Sequence, residues 1–263
     1  MKNAIGVIGF GNMGSAIVRR IAGSGIISVY ETDKGKQKIV TSISGVKCAS
    51  DNKKLAETVD VLILAVKPRD ITAVLDEIKV KLTRRTLLIS IAAGVTTEFI
   101  EKRLGKKIAV IRVMPNMPAL AGAGISALCR GRFASKREMV AAKRLFRSIG
   151  EVVEVKEDLM DAVTAISGSG PAYFFYLVEV LIKTAIGLGI KKEVAEKLAV
   201  ETAFGSAKLL KETKETPQIL RAKVTSKGGT TEAAFKEFLK GDLEGVLKKG
   251  IRKAFKRARK LCS

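Results

Sequence analysis

The 263-residue chain contains no histidine and no tryptophan. Without imidazole, Ser-His-Asp triads, His-Glu-x-x-His zinc sites and histidine acid–base steps are all excluded. Catalysis must then rest on hydroxyls, carboxylates, lysines, backbone donors or a bound cofactor. Hydride transfer fits, because the cofactor carries the hard chemistry. Only three tyrosines are present, and aromatics do not interleave with basic residues, so a stacking surface for single strands has no support. The three cysteines, Cys48, Cys129 and Cys262, form no Cys-x-x-Cys pair. They read as reduced thiols of a cytoplasmic protein, with no metal site. No apolar run reaches bilayer length, and Met1-Lys2-Asn3 leads directly into the first strand without a signal peptide. A membrane partner is therefore not expected.

Acid is also scarce. Lysine and arginine total 48 against 26 carboxylates, a net charge of +22, which would attract polyanions. The basic residues are scattered apart from one tract, 248–260. There Leu247, Ile251, Ala254, Phe255, Ala258, Leu261 and Cys262 recur at helical spacing, so the tract reads as an amphipathic helix with one buried stripe and a solvated basic face. Nucleic acid is not the expected partner.

Strands and helices alternate through the first half. Strands are predicted at 2–8, 27–31, 59–66, 86–91, 107–113, 124–129 and 151–155, with helices at 13–22, 36–43, 69–80, 97–104 and 136–149. Val61-Leu62-Ile63-Leu64-Ala65-Val66 is a continuous apolar run, as expected for a central parallel strand buried on both faces. From residue 157 strands vanish. Helical periodicity continues through 173–188, 192–214, 217–224, 231–239 and 242–261, with a turn signal at Ser167-Gly168-Ser169-Gly170-Pro171. Residues 172–188 are apolar nearly all round, which favours burial against a second subunit over burial within the chain's own domain.

Two glycine-bearing stretches define the expected chemistry. Gly9-Phe10-Gly11-Asn12-Met13-Gly14 stands between a strand and a helix, where the glycines supply a tight turn, close approach to a pyrophosphate and close helix–strand packing. Glu31, 22 positions after Gly9, ends the second strand, where an acid binds ribose hydroxyls and repels a 2′-phosphate. Lys34, Lys36 and Lys38 follow and can pair with that phosphate. NADH and NADPH both stay open, with a lean to NADH. Three further turns follow strands on the ligand edge of such a sheet: Ala65-Val66-Lys67-Pro68, Ala92-Ala93-Gly94, and Val113 through Pro118 with Asn116 at its centre. The second stretch, Ser226-Lys227-Gly228-Gly229-Thr230-Thr231, sets backbone donors beside hydroxyls and suits a small anion. The fold class is α/β, with an N-terminal Rossmann-like doubly wound sheet over 1–156 and an all-α domain over 157–263.

Those motifs, with Ser90-Ile91-Ala92-Ala93-Gly94-Val95, Met114-Pro115-Asn116-Met117-Pro118-Ala119 and Ser167-Gly168-Ser169-Gly170-Pro171-Ala172-Tyr173, resemble pyrroline-5-carboxylate reductase along essentially the whole chain. The resemblance implies reduction of 1-pyrroline-5-carboxylate to L-proline by NADPH or NADH. It also implies a C-terminal dimerisation domain in a homodimer or a ring of dimers, whose substrate loop faces the nicotinamide. Carried over, Gly9, Phe10, Gly11, Asn12, Met13, Gly14, Glu31, Ala65, Val66, Lys67, Pro68, Ala92 and Asn116 bind cofactor. Ser226, Gly228, Gly229 and Thr230 bind the substrate carboxylate, and Thr231 hydrogen-bonds the ring nitrogen as the catalytic residue. The family usually has proline where this chain has Lys227.

Three rival readings remain. A beta-hydroxyacid dehydrogenase needs a lysine early in the first long helix of the second domain, and none precedes Lys183 there. A reductase of another cyclic imine is the second. A basic nucleotide-sensing binding protein is the third, and it would have no need of the 226–231 loop.

Overall fold

The computed structural model describes residues 4–23 and 25–260. The first residues of the predicted strand 2–8 lie outside that range, as do Leu261 and Cys262. The chain divides into two compact units, Met1–Ser169 with Lys253–Ser263, and Gly170–Arg252.

In the first unit the elements run β1 (Ala4–Ile8), α1 (Asn12–Ile21), β2 (Ile26–Tyr30), α2 (Lys34–Thr41), β3 (Val46–Cys48), α3 (Asn52–Thr58) and β4 (Val61–Leu64). They continue through α4 (Ile71–Ile78), β5 (Leu87–Ser90), α5 (Thr97–Leu104), β6 (Ala109–Met114), β7 (Gly124–Arg130), α6 (Lys136–Phe146), β8 (Gly150–Glu154) and α7 (Met160–Val163). The strand order is β3-β2-β1-β4-β5-β6-β7-β8, with every neighbouring pair parallel except β6–β7. This is the expected doubly wound sheet.

Its two faces each carry a core. Val61 and Ile63 pack with Ile17, Ile27 and Phe146 on one side, while Leu62 and Leu64 pack with Leu75, Ile78 and Ile100 on the other. The apolar run of β4 is thus buried on both faces because successive side chains alternate between them.

Local chemistry sets the helix starts. The side chains of Asp33, Asp51 and Thr96 accept from the N–H of Lys36, Lys54 and Phe99, and Ser135 forms a capping box with Glu138. Asp33 thereby begins α2 two residues before its predicted start.

In the second unit lie α8 (Gly170–Gly187), α9 (Lys192–Thr213), α10 (Pro217–Lys223) and α11 (Thr230–Lys240). α12 (Leu243–Arg259) runs from there into the last segment of the first unit. Of the predicted α12 stripe, Ala258 is buried and Ile251, Ala254 and Phe255 are half-buried, but Leu247 is exposed. α8 leaves its large apolar residues open within a single chain: Phe174 is 68% exposed and Phe175 58%.

The sequence expectations need one correction. β3 and α3 were not expected, because β3 has only three residues, with Lys47 exposed between Val46 and Cys48, and α3 has seven. The turn signal at 167–171 coincides with a local break: a π-helical turn at Thr164–Gly168 and a bend at Ser169 precede α8, and Pro171 falls in the first turn of α8, where it breaks no internal hydrogen bond. By length and composition alone, the stretch Glu157–Gly187 is long and apolar enough to cross a membrane.

Candidate cofactor and substrate sites

Strand order reverses direction at the β1–β4 pair, the place where open parallel sheets take ligands beyond their carboxyl ends. The glycine turn stands there. Gly9 has φ +98°, and its N–H donates to Tyr30 O at 2.8 Å. A Cβ at Gly9 would lie 2.7 Å from Ala65 O, and one at Gly14 would lie 2.3 Å from Gly9 O. Any side chain at either position would force the turn, α1 and the end of β4 apart. Gly11 differs, because nothing lies within 4 Å of its would-be Cβ. Gly11 also caps α1, whose first turn holds no acidic residue. An open, positive helix end with free N–H groups fits a pyrophosphate. Asn12 is exposed, Gly11 and Met13 are half-buried, and Phe10 is buried.

Because β1, β4, β5 and β6 are consecutive in the sheet, the loops after them share one edge. Ala65 and Val66 are half-buried, Lys67 is exposed and Pro68 begins a short 3₁₀ turn. Ala92 is buried, its N–H donating to Ser90 Oγ at 3.3 Å. Asn116 is fixed through its Oδ1, which accepts from the Ile125 N–H at 2.9 Å. A cleft of about 570 Å³ lined by Thr97, Glu101, Lys106, Arg130, Phe133 and Glu157 contains none of these residues.

Glu31 sits on the same edge but is turned inward, and only 9% of it is exposed. Its Oε2 accepts from the Phe10 N–H at 2.8 Å. Its Oε1 accepts from the N–H of Thr32 at 2.8 Å and of Asp33 at 3.0 Å. Burial alone would raise its pKa. The N–H groups of Asp33, Phe10 and Thr32, with the charge of Lys36, outweigh burial and hold it below the ordinary carboxylate value. The carboxylate expected on ribose hydroxyls is thus engaged with backbone, tying the glycine turn to the β2–α2 turn. Thr32, Asp33, Lys34 and Lys36 are the exposed side chains at that mouth, with Asp33 Oδ1 accepting from the Lys36 N–H at 2.9 Å.

In the second unit, residues 224–229 join α10 to α11. The Gly229 N–H closes a turn on Ser226 O at 3.0 Å, and Gly228 adopts φ +74°. Gly229 caps α11, so Thr230 and Thr231 occupy the helix's first turn, with Thr231 half-buried. Sequence reasoning missed Glu232, whose Oε2 accepts from the Gly228 N–H at 2.8 Å. The available signal was a carboxylate three positions after the glycine cap, where side chains reach back over a helix start.

A buried arginine with two partly exposed carboxylates was missed as well. Arg112, 3% exposed in β6, lies 3.5 Å from Glu157 and 3.3 Å from Asp161. Glu157 also accepts from the Thr97 N–H at 2.7 Å and from the Thr97 hydroxyl. A charge inside the apolar run Ala109-Val110-Ile111-Arg112-Val113 was its visible sign. Burial, followed by the neighbouring charge of Glu157, pushes the Cys129 thiol up to about 12, so it is neither a nucleophile nor a ready metal ligand.

Comparison with known proteins gives two family matches. Residues 157–261 match the model described as pyrroline-5-carboxylate reductase dimerisation. Residues 4–94 match the one described as NADP oxidoreductase, coenzyme F420-dependent. The chain is 38% identical to a pyrroline-5-carboxylate reductase of Synechocystis sp. over 269 aligned positions, covering 99% of both. Among solved structures, a pyrroline-5-carboxylate reductase from Coxiella burnetii superposes with a TM-score of 0.91 at 38% identity, with 100% of each chain covered. A Plasmodium falciparum pyrroline carboxylate reductase with NADP bound gives 0.90 at 30% identity, again with 100% of each chain covered.

Proposed function

Because the chain belongs to the pyrroline-5-carboxylate reductase family, we propose that it reduces 1-pyrroline-5-carboxylate to L-proline, the last step of proline synthesis. A reduced nicotinamide dinucleotide, when bound, supplies the hydride. The chain's own residues bind, orient and exclude water. Gly11 and the start of α1 receive the pyrophosphate, while Gly9, Phe10, Asn12, Met13 and Gly14 shape that turn. Ala65, Val66, Lys67, Pro68, Ala92 and Asn116 line the nicotinamide half. With Glu31 engaged by three backbone donors, the ribose mouth is left to Thr32, Asp33, Lys34 and Lys36, where two cations against one helix-capping carboxylate suit a 2′-phosphate and favour NADPH.

Ser226, Gly228, Gly229 and Thr230 hold the substrate carboxylate, chiefly through N–H groups that need no desolvated counter-charge. Lys227 adds a cation beside them. Thr231 orients the imine nitrogen, and because its hydroxyl is a poor acid, the proton arrives with the imine or through water. Most of the acceleration then comes from holding two reactants in register away from water. A functional boundary between 156 and 157 belongs to the same proposal.

The dimerisation match over 157–261 supports self-association. The apolar residues of α8 find their cover in a second copy, and rings of such dimers are compatible with this arrangement. Protein is a better cover than lipid here, because the membrane-length stretch Glu157–Gly187 lies inside the matched dimerisation segment. The free thiols of Cys48 and Cys129 suit a cytoplasmic setting.

The observation that carries the reading is the 226–231 loop, where N–H donors at the start of α11 stand beside the Thr231 hydroxyl. Loss of reduced-nicotinamide absorbance on adding pyrroline-5-carboxylate, with each cofactor in turn, tests it. Turnover with NADPH exceeding that with NADH is the expected result. No turnover with either rejects the proposal.

A further inference from the structure

One contact in the 226–231 loop has no role in the reaction as described. Glu232, in the first turn of α11, lays its carboxylate on the Gly228 N–H at 2.8 Å. The chain's own carboxylate therefore occupies a donor assigned to the carboxylate of the substrate. The neighbouring donors are disposed differently. Gly229 N–H is spent on Ser226 O, whereas the N–H groups of Thr230 and Thr231 have no partner within the chain among the described residues. Gly228, at φ +74°, faces open space, since a Cβ built there would meet nothing within 4 Å. The cradle thus has room for an anion but is partly capped from within. Glu232 also has a second partner one turn along, with Lys236 Nζ 3.7 Å from its Oε2.

From this geometry we infer that Glu232 is an internal competitor of the substrate carboxylate, a specificity-determining residue that holds the Gly228 N–H in the free enzyme and gives it up to an anionic ligand. The inference rests on the assignment of the loop to that carboxylate. One N–H cannot serve two carboxylates, and like charges at such separations repel. Binding therefore requires Glu232 to swing away, and pairing with Lys236 offsets part of what it loses. Only a ligand carrying its own anion restores the lost hydrogen bond. A neutral cyclic imine leaves Glu232 in place and gains nothing from Gly228. The gate thus trades affinity for selection of carboxylate-bearing substrates.

The test uses Glu232→Gln and Glu232→Ala in the full-length enzyme. Each is measured for the KM of pyrroline-5-carboxylate, the KM of NADPH, and the Kd of L-proline by calorimetry on the NADP-loaded protein. The proposal expects the substrate KM and the proline Kd to fall about five- to tenfold in Glu232→Ala, the scale of one net hydrogen bond, and by less in Glu232→Gln, whose amide oxygen still accepts from the Gly228 N–H but carries no charge. It expects a smaller change in kcat and a steady KM for NADPH. A purely structural cap predicts the opposite, a weaker substrate and product affinity in Glu232→Ala with rescue by Glu232→Gln, and that pattern overturns the inference. Unchanged constants in both variants also overturn it. Gly228→Ala separates this failure from that of the underlying reading, because Gly228 holds φ +74°, a backbone conformation that alanine adopts only under strain, so the cradle is distorted. Proline affinity surviving Gly228→Ala removes the loop from carboxylate binding and overturns both.

Discussion

Removing the Glu31 carboxylate should loosen the dinucleotide turn more than it alters the choice of dinucleotide. Three backbone donors end on this side chain: Phe10 N–H on one oxygen, and Thr32 and Asp33 N–H on the other. Thr32 and Asp33 are exposed and can turn to water when Glu31→Ala removes their acceptor. Phe10 is buried, so its N–H loses its partner without replacement, which costs about 1–3 kcal/mol. For a unit of this size each kcal/mol lowers Tm by about 2–4 °C, so a drop of roughly 2–12 °C is expected. Glu31→Gln should fall between, since its amide has one oxygen for two sets of donors.

The pH dependence has a definite sign. The folded pKa is depressed, so the stability Glu31 contributes is fully present above its unfolded value, about 4.3, and is lost as pH falls through the lower folded value. The gap in Tm between wild type and Glu31→Ala should therefore close in acid below about pH 4. Melting curves across pH, paired with fluorescence titration of NADPH and NADH, supply the assay. Both cofactors should weaken alike. An unchanged melting temperature, or a loss confined to NADH, would refute this reasoning and put the carboxylate on the ribose instead.

Three further outcomes follow from the same geometry. Thr231→Ala should lower kcat/KM for pyrroline-5-carboxylate by the equivalent of about 1–3 kcal/mol, with the fold and NADPH binding retained; steady-state kinetics beside a cofactor titration check it. Phe175→Glu should reduce both assembly and activity, because full burial of such a side chain is worth roughly 1.5–3 kcal/mol and a charge reverses that gain; light scattering over a dilution series measures it, and a fully active monomer contradicts it. Arg112→Ala should destabilise the first unit by about 3 kcal/mol or somewhat less, since Glu157 and Asp161 lose their cation but keep partial access to water. Denaturant unfolding reads that loss, and Arg112→Met should recover part of it.

What the sequence made legible was the part governed by long, uniform patterns. β4 declared itself because both faces of a central parallel strand demand apolar side chains, and α8 because a helix apolar on every side needs cover. β3 escaped notice because three residues carry no period, and α3 because Asn52-Lys53-Lys54 reads as a charged loop until Asp51 is recognised as its cap. The Ser167–Pro171 segment has the composition of a turn, and it holds the end of a π-helical turn and a bend at Ser169 before proline enters the first turn of α8. The glycine turn was legible in full, since steric exclusion at Gly9 and Gly14 follows from residue type. The orientation of Glu31 was not. An acid at that strand end serves ribose or backbone equally well, and the placement of the Phe10, Thr32 and Asp33 amides that end on it is not written in residue types. Glu232 was hidden for the same reason, because its partner is a backbone N–H with no signature in the residue string.

Isotope tracing tests the central claim most directly. NADPH carrying deuterium at the transferable position is mixed with pyrroline-5-carboxylate and the enzyme, and the product is read by NMR. Direct hydride transfer to the imine carbon predicts L-proline with one deuterium on Cδ, the nitrogen-bonded ring carbon that carries no carboxylate, formed in step with cofactor oxidation. Proline without that label, or cofactor oxidation without proline, would contradict it.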